Sequence, residues 1–123
     1  MNELEVAFHG PRGLRLAGVI TLPNGQGGPV PGVLLCQGLS GVKHLVLPEV
    51  AERLAERGLA SLRFDYSGYG ASEGDRGWID PRARIDDASH ALEVLAAHDA
   101  VDPERIGAYG HSYGGPVAIA LAA

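Results

Sequence analysis

Residues 106–115 read Ile-Gly-Ala-Tyr-Gly-His-Ser-Tyr-Gly-Gly, and this stretch decides the fold. The short apolar run from Ile106 to Tyr109 is typical of a strand, and the small-residue run from Tyr113 to Ala123 is typical of a helix. Between them lies the pattern Gly-x-Ser-x-Gly, which places a serine on a sharp strand-to-helix turn and exposes its hydroxyl group. The pattern predicts a nucleophile elbow in which Ser112 is the attacking group.

A turn of this kind constrains the residues around Ser112. Bulky side chains beside a strained turn would collide with the strand and the helix, and Gly110 and Gly114 remove those collisions. We expect Gly115 to let the helix approach its neighbouring strand. The start of the helix presents free backbone N–H groups and a partial positive charge, so the N–H of Tyr113 is the first candidate oxyanion donor.

A second oxyanion donor is expected from the loop that follows an earlier apolar strand. The apolar run 32–36 is followed by Gln-Gly-Leu-Ser-Gly at 37–41. The residue after the first glycine, Leu39, is the candidate, again through its backbone N–H. Two such donors would stabilise the negative charge that develops on an attacked carbonyl oxygen.

Strand and helix patterns alternate along most of the chain. Strands separated by helices predict an α/β fold with a mostly parallel sheet, an antiparallel N-terminal hairpin and helices on both faces. The predicted elements are a hairpin of strands at 4–9 and 14–22, a loop at 23–32, a strand at 33–36, a helix around 47–55 ended by Gly58, a strand at 60–64, a helix from Asp80-Pro81 to about His98, a turn at 102–105, a strand at 106–109 and a helix at 113–123.

Composition narrows the class of protein. A chain of 123 residues with 46% apolar and 20% charged residues is typical of one globular domain. Its net charge of −5, with no basic stripe, argues against a nucleic-acid partner. No apolar run approaches the ~20 residues of a membrane span, and the N-terminus lacks a signal-peptide layout, so we expect a cytoplasmic protein. The single cysteine, Cys36, is predicted to be a buried strand residue.

Three segments resemble the N-terminal part of the α/β-hydrolases, namely 33–38, 62–74 and 101–115. The last two are similar to the branch that contains dienelactone-hydrolase-like enzymes, acyl-peptidases and serine aminopeptidase-like esterases. The resemblance covers essentially the whole chain. It implies hydrolysis of an ester, amide or thioester of a small-molecule acyl substrate, through an acyl-enzyme on Ser112 and without a cofactor. A perhydrolase or haloperoxidase-type reaction on the same site is the second catalytic interpretation.

The chain departs from the family pattern in two ways. Gln37 stands where many relatives carry histidine before the glycine of the oxyanion loop. In the family the acid and the histidine base follow the nucleophile helix, so we expect 1–123 to be a single partial domain, truncated and weakly active or inactive alone. The alternative is a non-catalytic remnant that binds acyl ligands or a partner. The strand 106–109 would then be an exposed apolar edge open to self-association.

The remaining polar residues have structural interpretations as well as functional ones. His44 follows the oxyanion loop and is the histidine expected nearest the site, although a surface position is the simpler reading. Asp65 could be mistaken for the acid of a triad, but we expect it to shape the loop that follows. Asp86 and Asp87 are predicted to form a solvated helix face, and no spacing of ligands indicates a metal. The other residues considered are His9, His90, His98 and His111 as alternative bases, and Tyr66, Tyr69 and Trp78 as pocket or packing aromatics.

Overall fold

A computed structural model describes all residues 1–123. It contains five strands and three helices in the predicted order, and it confirms the α/β fold. The elements are β1 (Asn2–His9), β2 (Arg15–Leu22), β3 (Val30–Cys36), α1 (Leu47–Glu56), β4 (Ala60–Phe64), α2 (Pro81–Ala97), β5 (Val101–Gly110) and α3 (Gly114–Ala122).

The strands form one sheet in the order β1-β2-β4-β3-β5. β3 pairs in parallel with β4 and β5, whereas β2 pairs antiparallel with β1 and β4. Four of the five strands therefore run in one direction, and the predicted mostly parallel sheet with an N-terminal hairpin is confirmed. The carboxyl ends of β3, β4 and β5 meet at one edge, which brings together the loops that carry the candidate site.

Helices cover both faces of the sheet. Consecutive residues of a strand point to opposite faces, and in β3 Leu34 belongs to the larger buried cluster while Leu35 belongs to the smaller one. The smaller cluster includes Leu47 of α1. The larger cluster includes Leu95 of α2 and Val117 of α3. The layers thus hold β3 and its neighbours rigidly beneath the loops at their carboxyl ends.

Local signals fix two of the helix ends. Gly58 follows α1 with φ +80°, its N–H donates to Ala55, and the N–H of Leu59 donates to Leu54, which is the Schellman arrangement. At the start of α2 the carboxylate of Asp80 accepts hydrogen bonds from the N–H groups two and three residues later, at 2.9 and 3.3 Å. Both ends agree with the sequence-based prediction.

The segment 102–105 was predicted as a separate turn, and this prediction is wrong in its boundaries. The structure includes the segment in β5, where Val101 pairs with Val30 and Ile106 pairs with Gly32. Four residues of β5 therefore stand opposite one residue of β3, and the Asp102 carboxylate accepts the N–H of Glu104 at 2.9 Å within this irregularity. The hydrogen bond expected of a turn is therefore present, but it lies inside an irregular part of β5. β3 also begins at Val30 rather than Val33, which shortens the preceding loop.

Candidate active site

Ser112 lies between β5 and α3 in a left-handed backbone conformation. Its φ is +53°, a value that residues other than glycine rarely adopt, and its side chain is exposed. The His111 N–H donates to the carbonyl of Cys36 at 3.1 Å, and the His111 carbonyl accepts the N–H of Gly114 at 2.9 Å. The first bond attaches the strained turn to the end of β3 and the second closes the turn, so the hydroxyl is presented at the carboxyl edge of the sheet.

The two glycines of the motif stand where no side chain fits. A Cβ at Gly110 would overlap with the Gly114 carbonyl and lie 2.5 Å from the Cα of Gly115. A Cβ at Gly114 would overlap with the Cys36 carbonyl and lie 2.7 Å from the Gln37 carbonyl oxygen. Gly115 was expected to permit a close approach of helix and strand, and that expectation is wrong, since a Cβ there would meet nothing within 4 Å.

The candidate oxyanion loop lies against the elbow. A Cβ built at Gly38 would be 3.6 Å from the Ser112 Cβ and 3.5 Å from the His111 carbonyl oxygen. The next residue, Leu39, is 47% exposed, and its N–H donates no hydrogen bond. The N–H of Tyr113 likewise donates none. The structure therefore brings Ser112, the Leu39 loop and Tyr113 together, and the role of the two N–H groups stays a prediction.

Gln37 organises this loop from its base. The buried amide oxygen accepts the N–H of Gly38 at 2.8 Å, while the amide nitrogen donates to the carbonyls of Val42 and Leu45 at 2.8 and 2.6 Å. A Cβ at Gly41 would lie 2.6 Å from the Gln37 Cγ, so the loop closes tightly over this side chain. The sequence singled out Gln37 only as a departure from the family pattern, and its bridging role was missed.

Arg84 of α2 was also missed by the sequence analysis. Its side chain is only 2% exposed, and its guanidinium donates to the carbonyls of Gly38, at 3.0 Å, and Leu39. The Arg84 Cζ also lies 5.5 Å from the centroid of the Tyr113 ring. A signal was available, because position 84 shares a helical face with the buried Ala88 and Leu95. A charged residue in that register was overlooked.

Asp65 has the structural role expected of it. It is 1% exposed and accepts the N–H and the Nζ of Lys43, both at 2.7 Å, together with the N–H of Ala71 at 2.9 Å. Gly70 in the following loop has φ +52°, and a Cβ there would overlap with the Asp65 carboxylate. The carboxylate is fully engaged in shaping its loops.

Asp87 corrects the prediction of a solvated helix face. Asp86 is exposed as expected, but Asp87 is 1% exposed. The Asp87 carboxylate accepts the N–H and the hydroxyl of Ser67 at 2.9 and 2.7 Å, and Arg12 donates to it at 3.3 Å. Asp87 therefore joins α2 to the loop after β4 rather than facing water.

No histidine contacts the Ser112 hydroxyl through a hydrogen bond. His44 is exposed, His90 Nδ1 lies 3.0 Å from the Asp86 carbonyl, and His98 Nδ1 accepts the N–H of Ala100 at 3.1 Å. No group of three His, Cys, Asp or Glu side chains is placed to hold a metal ion. None of the three helices combines the length and apolar character that a membrane span requires.

Cys36 ends β3 directly below the elbow. The side chain is fully buried, and burial raises the pKa of its thiol to about 11. A thiol with this pKa is protonated at neutral pH and is a poor nucleophile. The predicted buried position of Cys36 is confirmed.

The sheet topology and the strained serine after β5 define the class as α/β-hydrolase, and comparison with known proteins agrees. The family model described as "Serine aminopeptidase, S33" matches residues 29–123. The chain therefore belongs to the serine aminopeptidase-like family of α/β-hydrolases.

Individual relatives are similar over nearly all of this chain. The thiohydrolase aneE of Aspergillus aculeatus is 37% identical over 96% of the chain, and the polyketide transferase ATR5 of Stachybotrys chlorohalonatus is 34% identical over all of it. The α/β-hydrolase GrgF from Penicillium sp. superposes with a TM-score of 0.91 at 28% identity over 99% of the chain. The chain spans 36%, 41% and 42% of the lengths of these three proteins.

Proposed function

We propose that the protein hydrolyses an ester, amide or thioester through an acyl-enzyme formed on Ser112. The family already makes the chain a hydrolase by class. One observation carries the finer proposal, namely the exposed Ser112 at φ +53° between β5 and α3. A strained backbone conformation costs free energy and persists only where the surrounding structure enforces it. Such residues cluster at active sites, where the strain can present a nucleophile.

The reaction follows from the groups at the carboxyl edge. The Ser112 Oγ attacks the acyl carbon while a base takes the hydroxyl proton, and the carbonyl oxygen becomes an oxyanion opposite the N–H groups of Tyr113 and Leu39. The tetrahedral adduct then collapses and expels the alcohol, amine or thiol, which takes up the proton from the base. Water then attacks the acyl-enzyme, and the second collapse releases the acid and regenerates the serine hydroxyl.

The base and its acid partner are proposed to come from outside residues 1–123. Ser112 has no side-chain hydrogen bond to a histidine of this chain, and in the family the acid and histidine follow the nucleophile helix. Without them a chain retains at best ~10³–10⁴-fold catalysis over water. We therefore expect residues 1–123 alone to react slowly.

Among the three bond types, a thioester has additional support. Two relatives are named as a thiohydrolase and as a polyketide transferase, and both are similar over at least 96% of this chain. A thiol is a better leaving group than an alcohol or an amine, so it makes the smallest demand on an incomplete proton relay. We propose a thioester as the first substrate class to assay.

The test is labelling of the purified chain by a fluorophosphonate probe, with and without free imidazole as an external base. We expect slow labelling that imidazole accelerates, that Ser112→Ala abolishes and that Ser89→Ala on α2 leaves unchanged. Equal labelling of wild type and Ser112→Ala would contradict the assignment. A folded chain that stays unlabelled in imidazole would favour the alternative of a non-catalytic module that binds acyl ligands or a partner.

A further inference from the structure

Arg84 carries a buried positive charge that no carboxylate balances. Its side chain is 2% exposed, and it takes part in none of the ion pairs of the structure. Asp87, the buried acid on the same helix, is occupied by Ser67 and Arg12. The other buried arginine, Arg63, pairs with Glu3 at 2.9 Å. Burying an unpaired charge is costly, so packing alone does not explain Arg84.

Arg84 contacts the candidate oxyanion loop through the backbone carbonyl groups of that loop. Its Nη1 and Nη2 donate to the carbonyl oxygens of Gly38 and Leu39. In a trans peptide unit the C=O and the following N–H point in opposite directions. Holding the Gly38 carbonyl against α2 therefore turns the Leu39 N–H away from α2, and holding the Leu39 carbonyl does the same for the N–H of Ser40.

The same guanidinium contacts the other half of the site. Its Cζ lies 4.3 Å from the Tyr66 ring centroid, 5.1 Å from that of Tyr69 and 5.5 Å from that of Tyr113. Aromatic faces attract a cation and stabilise it without neutralising it. One side chain thus contacts both the peptide unit that contains the Leu39 N–H and Tyr113, whose N–H is the other candidate donor.

We propose that Arg84 is a positioning residue for acyl transfer, fixing the Leu39 N–H toward the acyl oxygen and placing a permanent positive charge behind the developing oxyanion. This inference rests on the proposed function. No proton moves to or from Arg84, because guanidinium stays protonated throughout the accessible pH range. Its unbalanced charge is complemented only when negative charge develops on the substrate, so it favours the transition state over the ground state.

The test compares Arg84→Met and Arg84→Lys with the matched control Arg82→Met, an exposed arginine on the same helix. We would measure the rate of fluorophosphonate labelling in imidazole per folded molecule, and the amide signal of Leu39 by NMR. We expect Arg84→Met to label ~10²-fold more slowly and to shift the Leu39 amide signal, as for loss of one oxyanion donor. Arg84→Lys should be intermediate, and Arg82→Met should stay within about twofold of wild type.

A merely structural role predicts a lower melting temperature without these changes. Wild-type labelling rate and an unchanged Leu39 amide in folded Arg84→Met would overturn the proposal. If that variant does not fold, the same result in Arg84→Lys would overturn it. Absence of Ser112-dependent labelling in the wild type would instead refute the proposed function, while the Leu39 amide would still report whether Arg84 holds the loop.

Discussion

Two adjacent glycines, Gly114 and Gly115, occupy different surroundings at the start of α3. A methyl group at Gly114 would overlap with the backbone of Cys36, whereas one at Gly115 would meet open space. We predict that Gly114→Ala destabilises the chain by about 1–3 kcal/mol or more, as overpacking against an immobile backbone does. Gly115→Ala should be neutral or stabilise by up to about 1 kcal/mol, because alanine favours helix. Urea unfolding of both variants measures the difference, and equal effects would contradict the elbow geometry.

The buried thiol of Cys36 makes stability depend on alkaline pH. Its pKa is raised from 9.0 to about 11, so the native state holds the proton more tightly than the unfolded state. The resulting stabilisation is complete below pH 9 and is lost as pH rises toward 11. We predict that wild type loses up to about 2–3 kcal/mol more than Cys36→Ala over this interval. Unfolding curves of both proteins at pH 9 and at pH 11 measure the loss of stability. An equal loss in the wild type and in Cys36→Ala would exclude a contribution from the Cys36 thiol.

How far the sequence predicted individual residues depended on the range of their contacts. The motif around Ser112 is local, because five consecutive residues contain both the strained serine and the glycines that permit it. Arg84 and Asp87 act on partners 46 and 20 positions away. A charged residue on a helix is usually solvated, and only the folded chain reveals which ones the sheet covers.

At the scale of elements, the loop between β3 and α1 is held from two sides. Gln37 binds it from below through Gly38, Val42 and Leu45, and Arg84 binds the Gly38 and Leu39 carbonyls from α2. This double attachment leaves the Leu39 N–H free while fixing the backbone around it. The loop is therefore preorganised, which is the condition under which a donor stabilises an oxyanion most effectively.

Substitution of Leu39 separates its N–H from its side chain. Leu39→Pro removes the N–H, whereas Leu39→Ala keeps it and removes a side chain that is 47% exposed. We predict that the proline variant reduces fluorophosphonate labelling in imidazole by ~10²–10³-fold, with little change in the alanine variant. Circular dichroism controls for folding. If the two folded variants label alike, the Leu39 N–H is not an oxyanion donor.

The ends of helices and strands were predicted well where nearby residues in the sequence fix them. They were predicted poorly where pairing with a distant strand fixes them. Gly58 and Asp80 end and begin helices through bonds within a few residues. The segment 102–105 has the composition of a turn, and the Asp102 carboxylate accepts the N–H of Glu104 as in a turn. The pairing between β3 and β5 nevertheless extends past this segment to Val101. Val101 pairs with Val30, which lies 71 positions earlier in the chain, and such a pairing cannot be deduced from local composition.

At the scale of the molecule, the order of the strands across the sheet was not predicted from the sequence. Alternating strand and helix patterns predicted the parallel part of the sheet, but they do not state that β2 pairs with β4 or that β3 lies between β4 and β5. That order matters because it sets the carboxyl ends of β3 and β5 side by side. The loop of Leu39 and the elbow of Ser112 meet as a result.

The same order leaves β5 at one end of the sheet with a free edge, as the sequence analysis expected. An apolar concavity of about 260 Å³ adjoins this edge, lined by side chains that include Leu92, Ile106 and Leu121. An unpaired apolar edge is a template for pairing with another chain. We predict that residues 1–123 self-associate through β5 as concentration rises.

Lysine substitutions on the two edge strands of the sheet test which strand mediates self-association. Ala108 is exposed on β5, and Ala7 is exposed on β1 at the opposite end of the sheet. Ala108→Lys should weaken self-association, because a charge on an edge strand must be desolvated when another strand pairs with it. Ala7→Lys should leave the association unchanged. Sedimentation velocity at several concentrations measures both, and loss of association in Ala7→Lys alone would assign the interface to β1 instead.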